Sequence, residues 1–231
     1  MIGFIGAMDI EVNELISLLE NKTLTKISGI NFYTGQISEK DVVIAKCGVG
    51  KVNAAVCAQT MILTYKPDVV INTGVAGSLS EKLNICDVAI ATDVVQHDMD
   101  TSPLGDPVGF VSGIDMVKIP CDIRISQMLY NSAVKFENIK CELGTIASGD
   151  QFLNSDDVKK RITDNFGAIA GEMEGASIGH VAYMNNVPFS ILRVISDNAS
   201  GESNIDFPKF CTIAADMSIK ICAEFIKQYQ I

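Results

Sequence analysis

The chain carries its chemistry in a few carboxylates that do not sit on obviously solvated faces. Glu11 falls in the first turn of the first helical pattern, just after an apolar run. Glu172-Met173-Glu174 joins apolar residues 168–171 to a helix of small residues at 175–183. Asp197 closes the run Phe189-Ser190-Ile191-Leu192-Arg193-Val194-Ile195-Ser196. Taken singly, each has a plain structural reading: an acid favoured by a helix N-terminus, an exposed turn, a cap on the next element. Together they supply what acid–base chemistry needs, one group that donates a proton and another that accepts one. Arg193 is odder still. A charge inside a strand this apolar requires a partner, and a carboxylate is the expected one.

Three glycine-containing segments accompany these acids. Gly3-Phe4-Ile5-Gly6-Ala7-Met8 opens the first helix, Cys47-Gly48-Val49-Gly50-Lys51 the second, and Asn72-Thr73-Gly74-Val75-Ala76-Gly77-Ser78 follows the apolar residues 69–71. Each reads as a small-residue turn that lets a ligand approach the backbone. At strand C-ends of an open α/β sheet they would line one crevice. The second segment is not a dinucleotide fingerprint, because Asn53 occupies the third small position and Asp68 precedes its strand. It is not a Walker A loop either, since Val52 follows Lys51.

The elements that would hold these groups alternate. Short β-branched runs fall at 2–5, 31–37, 42–47, 69–73, 88–92, 143–147 and 189–195. Helical periodicity falls between them, at 9–20, 53–65, 122–136 and 207–228, and Ser155 with Asp156 and Asp157 reads as a helix start. Several strands are continuously apolar, as strands covered on both faces are. The pattern predicts an α/β protein, a sandwich of helices about a buried central sheet, in one domain spanning 1–231. Residues 96–120, rich in Gly, Pro and Asp, read as a long excursion, a common place for function.

Composition narrows the function. A 231-residue chain that is 48% hydrophobic and 6% aromatic builds an aliphatic core of ample size. Its net charge of −10 is a poor match to nucleic acid or an anionic membrane. Seven cysteines without a Cys-x-x-Cys, and two distant histidines, suggest reduced buried thiols and no zinc site. The N-terminus lacks a basic flank and meets Asp9 and Glu11 early, so a cytoplasmic location is expected, with no membrane span.

Taken in order and spacing, several of these elements resemble one family. They are Gly6-Ala7-Met8 with Glu11, Gly48-Val49-Gly50-Lys51, Asn72-Thr73-Gly74 with Ala76-Gly77, Ser148-Gly149-Asp150 with Phe152, Glu172-Met173-Glu174, and Ser196-Asp197. They look like the 5′-methylthioadenosine/S-adenosylhomocysteine nucleosidases of the purine nucleoside phosphorylase superfamily. The resemblance covers nearly the whole chain. It implies a three-layer αβα sandwich with a mixed, partly barrel-like sheet, no metal or organic cofactor, a homodimer, and a role in methionine salvage. The reaction implied is hydrolysis of an adenine–ribosyl bond.

Carried over position by position, Asp197 would be the acid to adenine N7, Glu11 would ready the attacking water with Arg193 beside it, and Glu174 would hold the ribose hydroxyls. Met173 would pack on the sugar, Phe152 would stack on adenine, and Leu153 would read the base edge through its backbone. Met8, Val49 and Phe207 would line the 5′-alkylthio pocket, and Val75, Ala76, Gly77 and Ser196 would complete the wall. Val75 departs from the Ser or Thr frequent in the family. The segment from Thr101 to Ile114 would reach the partner's site, and its prolines are distinctive. A phosphorylase of the same fold needs cations for phosphate. Glu11, and the absence of Arg near 72–78, argue for water as the nucleophile. A futalosine-type substrate is poorly separated from the others on sequence.

Overall fold

A computed structural model describes residues 1–197 and 207–230, with the side chain of Phe207 outside the description. Ten strands form one mixed sheet. β1 (Ile2–Gly6) lies between β4 (Lys40–Lys46) and β5 (Val69–Ser78), parallel to both. β3 (Ile30–Ile37) and β2 (Glu20–Ile27) extend it as an antiparallel hairpin. On the other side, β9 (Ala168–Glu172), β8 (Cys141–Ser148), β6 (Val88–Gln96) and β10 (Phe189–Asp197) follow in turn. β10 also pairs with β5, so these five strands close on themselves. The two-residue β7 (Ile119–Pro120) borders β6.

Helices cover both faces, as the apolar strands require. α2 (Lys51–Tyr65) and α5 (Gly175–Met184) pack on one side through Ala54, Cys57, Ala58, Ile178 and Ala182. α1 (Asp9–Ser17), α3 (Ile123–Ala133) and α6 (Phe207–Gln228) pack on the other through Leu15, Leu129, Ala214 and Phe225. α4 (Asp156–Phe166) seats Ile162 and Phe166 on a smaller cluster with Leu79 and Leu153. This is the expected three-layer αβα arrangement, with part of its sheet closed. Among the described residues, no helix is long and apolar enough to cross a membrane.

The structure departs from the sequence reading in several places. The stretch 72–78 is not a turn into a helix: β5 runs unbroken to Ser78. β2 was not expected at all. α1 stops at Ser17 rather than continuing to 20, and Leu19 packs into the core from outside the helix. Residues 168–172 form a strand of their own. The excursion after β6 is irregular as expected, with one 3₁₀ turn at Ser102–Leu104.

Candidate active site

Glu11 is the third residue of α1, and its carboxylate folds back over the helix start. Its Oε2 accepts the backbone N–H groups of Ala7 at 2.7 Å and Met8 at 2.9 Å. Its Oε1 accepts the N–H of Val75 on β5 at 3.0 Å. An acid at this helix position commonly reaches back to the orphan donors of the first turn. The helix-start reading of Glu11 is therefore correct, and the same contacts tie α1 to β5. The side chain is buried yet lies on a cavity wall.

Arg193 stands behind that wall, wholly enclosed. Its Nη2 donates to Glu172 and Asn72, and lies 3.7 Å from Glu174 Oε2. Among the described residues, Glu172 and Glu174 are its ion-pair partners. This corrects the expectation that it braces Glu11 directly or lines the site. Its Nε and Nη1 have no hydrogen-bond partner. Nη1 and Glu11 Oε1 both point at Gly74, where a Cβ would collide with each. Gly74 is thus required by close approach. Replacing it with Ala should displace Glu11 or Arg193 and cut turnover by about 10²-fold, near the lower end for losing an acid–base group. Steady-state kinetics of Gly74→Ala, alongside a thermal melt, checks this.

Glu172, named in the sequence reading without a role of its own, has one in the structure. It accepts hydrogen bonds from the Ser148 hydroxyl and from the N–H groups of Glu174 (3.0 Å) and Gly175 (2.8 Å). It fixes the turn that presents Met173 and Glu174, and it neutralises Arg193. The demand of Arg193 for a carboxylate was the signal that could have found it.

Glu174 reaches across to the Gly48–Gly50 turn, where Gly50 N–H donates to its Oε1 at 2.9 Å. Gly50 has φ +99°, a conformation L side chains rarely adopt, and Asp150 Oδ1 crowds its Cβ position. Burial, and then the neighbouring Glu172 carboxylate, push the Glu174 carboxyl up to about 7, while Arg193 pulls the other way.

Asp197 ends β10 with its carboxyl against Gly77 of β5. Its Oδ1 accepts the Ser196 hydroxyl at 3.1 Å. Its Oδ2 lies 3.9 Å from Lys159 Nζ. Desolvation raises its pKa, against the pull of Lys159 and the Ser196 hydrogen bond.

One cavity of ≈ 260 Å³ joins these groups. Glu11, Glu174 and Asp197 all line it, with Met8, Val49, Val75, Ala76, Gly77, Phe152, Leu153, Met173 and Ser196. Ala7, Gln151, Gly171 and Glu172 complete the wall. Val49 and Phe152 are half or more exposed at the rim. The side chain of Phe207 lies outside the described residues, and none of residues 101–114 lines this cavity of their own chain. Val75 and Gly77 are two residues apart on β5, so the groups held there, Glu11 and Asp197, are offset by about 6–7 Å along the strand. A closed sheet has therefore gathered three carboxyl groups and apolar surface around one cavity.

That fold is the one of the phosphorylase superfamily, whose family model matches residues 1–227. A curated relative from Shewanella halifaxensis, a 5′-methylthioadenosine/S-adenosylhomocysteine nucleosidase, is 36% identical, covering 98% of this chain and 99% of its own. The Neisseria meningitidis nucleosidase of that name, solved with methylthio-immucillin-A, superposes with a TM-score of 0.94 at 34% identity over 99% of both chains. Futalosine hydrolase of Helicobacter pylori superposes with a TM-score of 0.92 at 34% identity, covering 99% of this chain and 97% of its own. The chain belongs to the 5′-methylthioadenosine/S-adenosylhomocysteine nucleosidase family within that superfamily.

Proposed function

We propose that the chain hydrolyses the N-glycosidic bond of 5′-methylthioadenosine and S-adenosylhomocysteine, releasing adenine and the 5′-substituted ribose. The observation that carries this reading is the meeting of Asp197, Glu11 and Glu174 in one cavity.

Adenine leaves poorly as an anion. Asp197 gives its proton to N7, and the C1′–N9 bonding pair departs with the neutral base. Desolvation, which favours the protonated carboxyl, suits Asp197 to this donor role. The ribosyl group gains oxocarbenium character, and Glu174 holds its hydroxyls. Water adds its oxygen to C1′ and passes a proton to Glu11. Three backbone N–H groups keep that carboxylate in place.

Phe152 and Leu153 meet the base, and Met8 and Val49, with Phe207, meet the alkylthio end. The exposed rim at Val49 and Phe152 supports a homodimer in which the partner's 101–114 segment closes the cavity. A cytoplasmic role in methionine salvage accords with this substrate. The decisive experiment incubates the protein with methylthioadenosine, with and without phosphate. Adenine should appear at the same rate in both, with free methylthioribose as the sugar product. A requirement for phosphate, or a sugar 1-phosphate, overturns hydrolysis. Competition with futalosine then ranks the substrates, as the Helicobacter likeness warrants.

A further inference from the structure

The run Asp156-Asp157-Val158-Lys159-Lys160-Arg161 reads as a solvated helix face, and Lys160 and Arg161 are indeed exposed. Lys159 is buried, with a relative exposure of 6%. Two effects oppose an ammonium there. It sits in the early part of α4, where the helix dipole disfavours a cation, and it has left water. A carboxylate offsets both: Nζ lies 3.9 Å from Asp197 Oδ2, with the two side chains 8% and 10% exposed. On its other side, Lys159 borders a second cavity, of ≈ 570 Å³, shared with Glu81, Lys82, Asp156, Lys160 and Asp164.

We propose that Lys159 is a positioning residue for the proton donor, acting through Asp197 rather than on the substrate: its ammonium steadies the carboxylate left when Asp197 has protonated N7, and it limits the pH range over which Asp197 is loaded. This rests on the reading of Asp197 as the acid. The step balances as above: one proton from Asp197 to N7, the C1′–N9 pair to adenine, water's oxygen to C1′ and its proton to Glu11.

Among the described residues, the other groups around Asp197 do not substitute for Lys159. Ser196 on β10 offers a neutral hydroxyl, and Gly77 on β5 only backbone. Cys211 on α6 carries a thiol that burial pushes up to about 11, so it is neutral. Glu11, Glu172 and Glu174 on the remaining cavity walls are carboxyls. Among the described residues, Lys159 is the cation within ion-pair distance of Asp197.

The test is the pH profile of kcat/KM for adenine release by the full chain and its Lys159→Met, Lys159→Gln and Lys159→Arg variants. The alkaline fall, where the acid loses its proton, should move up by about one pH unit in the two neutral variants and stay in place in Lys159→Arg. The Gln variant serves if Met prevents folding, as judged by thermal melts. A purely structural role would lower the whole profile without moving its limb. Limbs superimposable on wild type in a folded neutral variant overturn the proposal. Activity retained by Asp197→Asn would instead remove the acid reading beneath it, so the two failures are told apart.

Discussion

Asp197→Asn should abolish adenine release, lowering kcat by about 10⁴-fold, the upper range for a general acid, with little net change in thermal stability. The two halves of this result have one cause. An amide cannot donate a proton to N7 under turnover conditions, so chemistry stops. The stability half depends in part on the sign of the shift. Burial raises the carboxyl's pKa in the fold above its unfolded value, despite Lys159 and the Ser196 hydroxyl. A carboxyl so shifted costs the fold stability once pH exceeds its unfolded pKa, because the native state must then ionise a desolvated group. A neutral amide of nearly the same shape removes that cost and can still accept from Ser196, but it also removes the negative charge 3.9 Å from the buried Lys159 ammonium, so the two changes oppose each other. Adenine release by coupled assay and thermal unfolding at neutral pH check both halves. Near-wild-type turnover would refute the acid assignment.

Why Asp197 could be read from sequence, and Lys159 could not, is a matter of what each residue's neighbours in the chain reveal. Asp197 ends a mostly apolar strand, buried throughout, so its charge stood out. Arg193 stood out in the same way: its demand for a carboxylate was legible, but that Glu172 would meet it was not. Lys159 lies among charged residues on an amphipathic helix. Its burial depends on where α4 docks against β10's end, which no local pattern encodes. β2 was invisible for the opposite reason. Its residues are exposed almost throughout, so the alternation that marks a half-buried strand never arose.

The glycines of 72–78 misled because their usual meaning is a turn. In β5, Gly74 gives room to Glu11 and Arg193, and Gly77 to Asp197, so the strand continues while functional side chains press against it. The sequence pattern put these residues on a crevice wall, and they do line the cavity, but it misjudged the backbone that holds them.

Glu11→Gln should behave differently from Asp197→Asn although it too removes turnover. The carboxylate is an acceptor at both oxygens: two N–H groups on Oε2 and one on Oε1. Glutamine has one acceptor and one donor. Its oxygen best replaces Oε2, which leaves an NH₂ facing the N–H of Val75. That buried donor loses its partner, at a cost of about 1–3 kcal/mol. For a chain of this size each kcal/mol lowers Tm by roughly 2–4 °C. The variant should therefore lose about 10²–10⁴-fold in kcat, because water no longer has a proton acceptor, and melt several degrees lower. Adenine and nucleoside affinity should persist, since Phe152, Leu153 and Glu174 still line the cavity. Calorimetric binding, melting and single-turnover hydrolysis on one preparation separate these effects. Hydrolysis unchanged in Glu11→Gln would take this residue out of the mechanism. Lost turnover with unimpaired stability would leave its catalytic role standing and show that its grip on α1 and β5 contributes little to the fold.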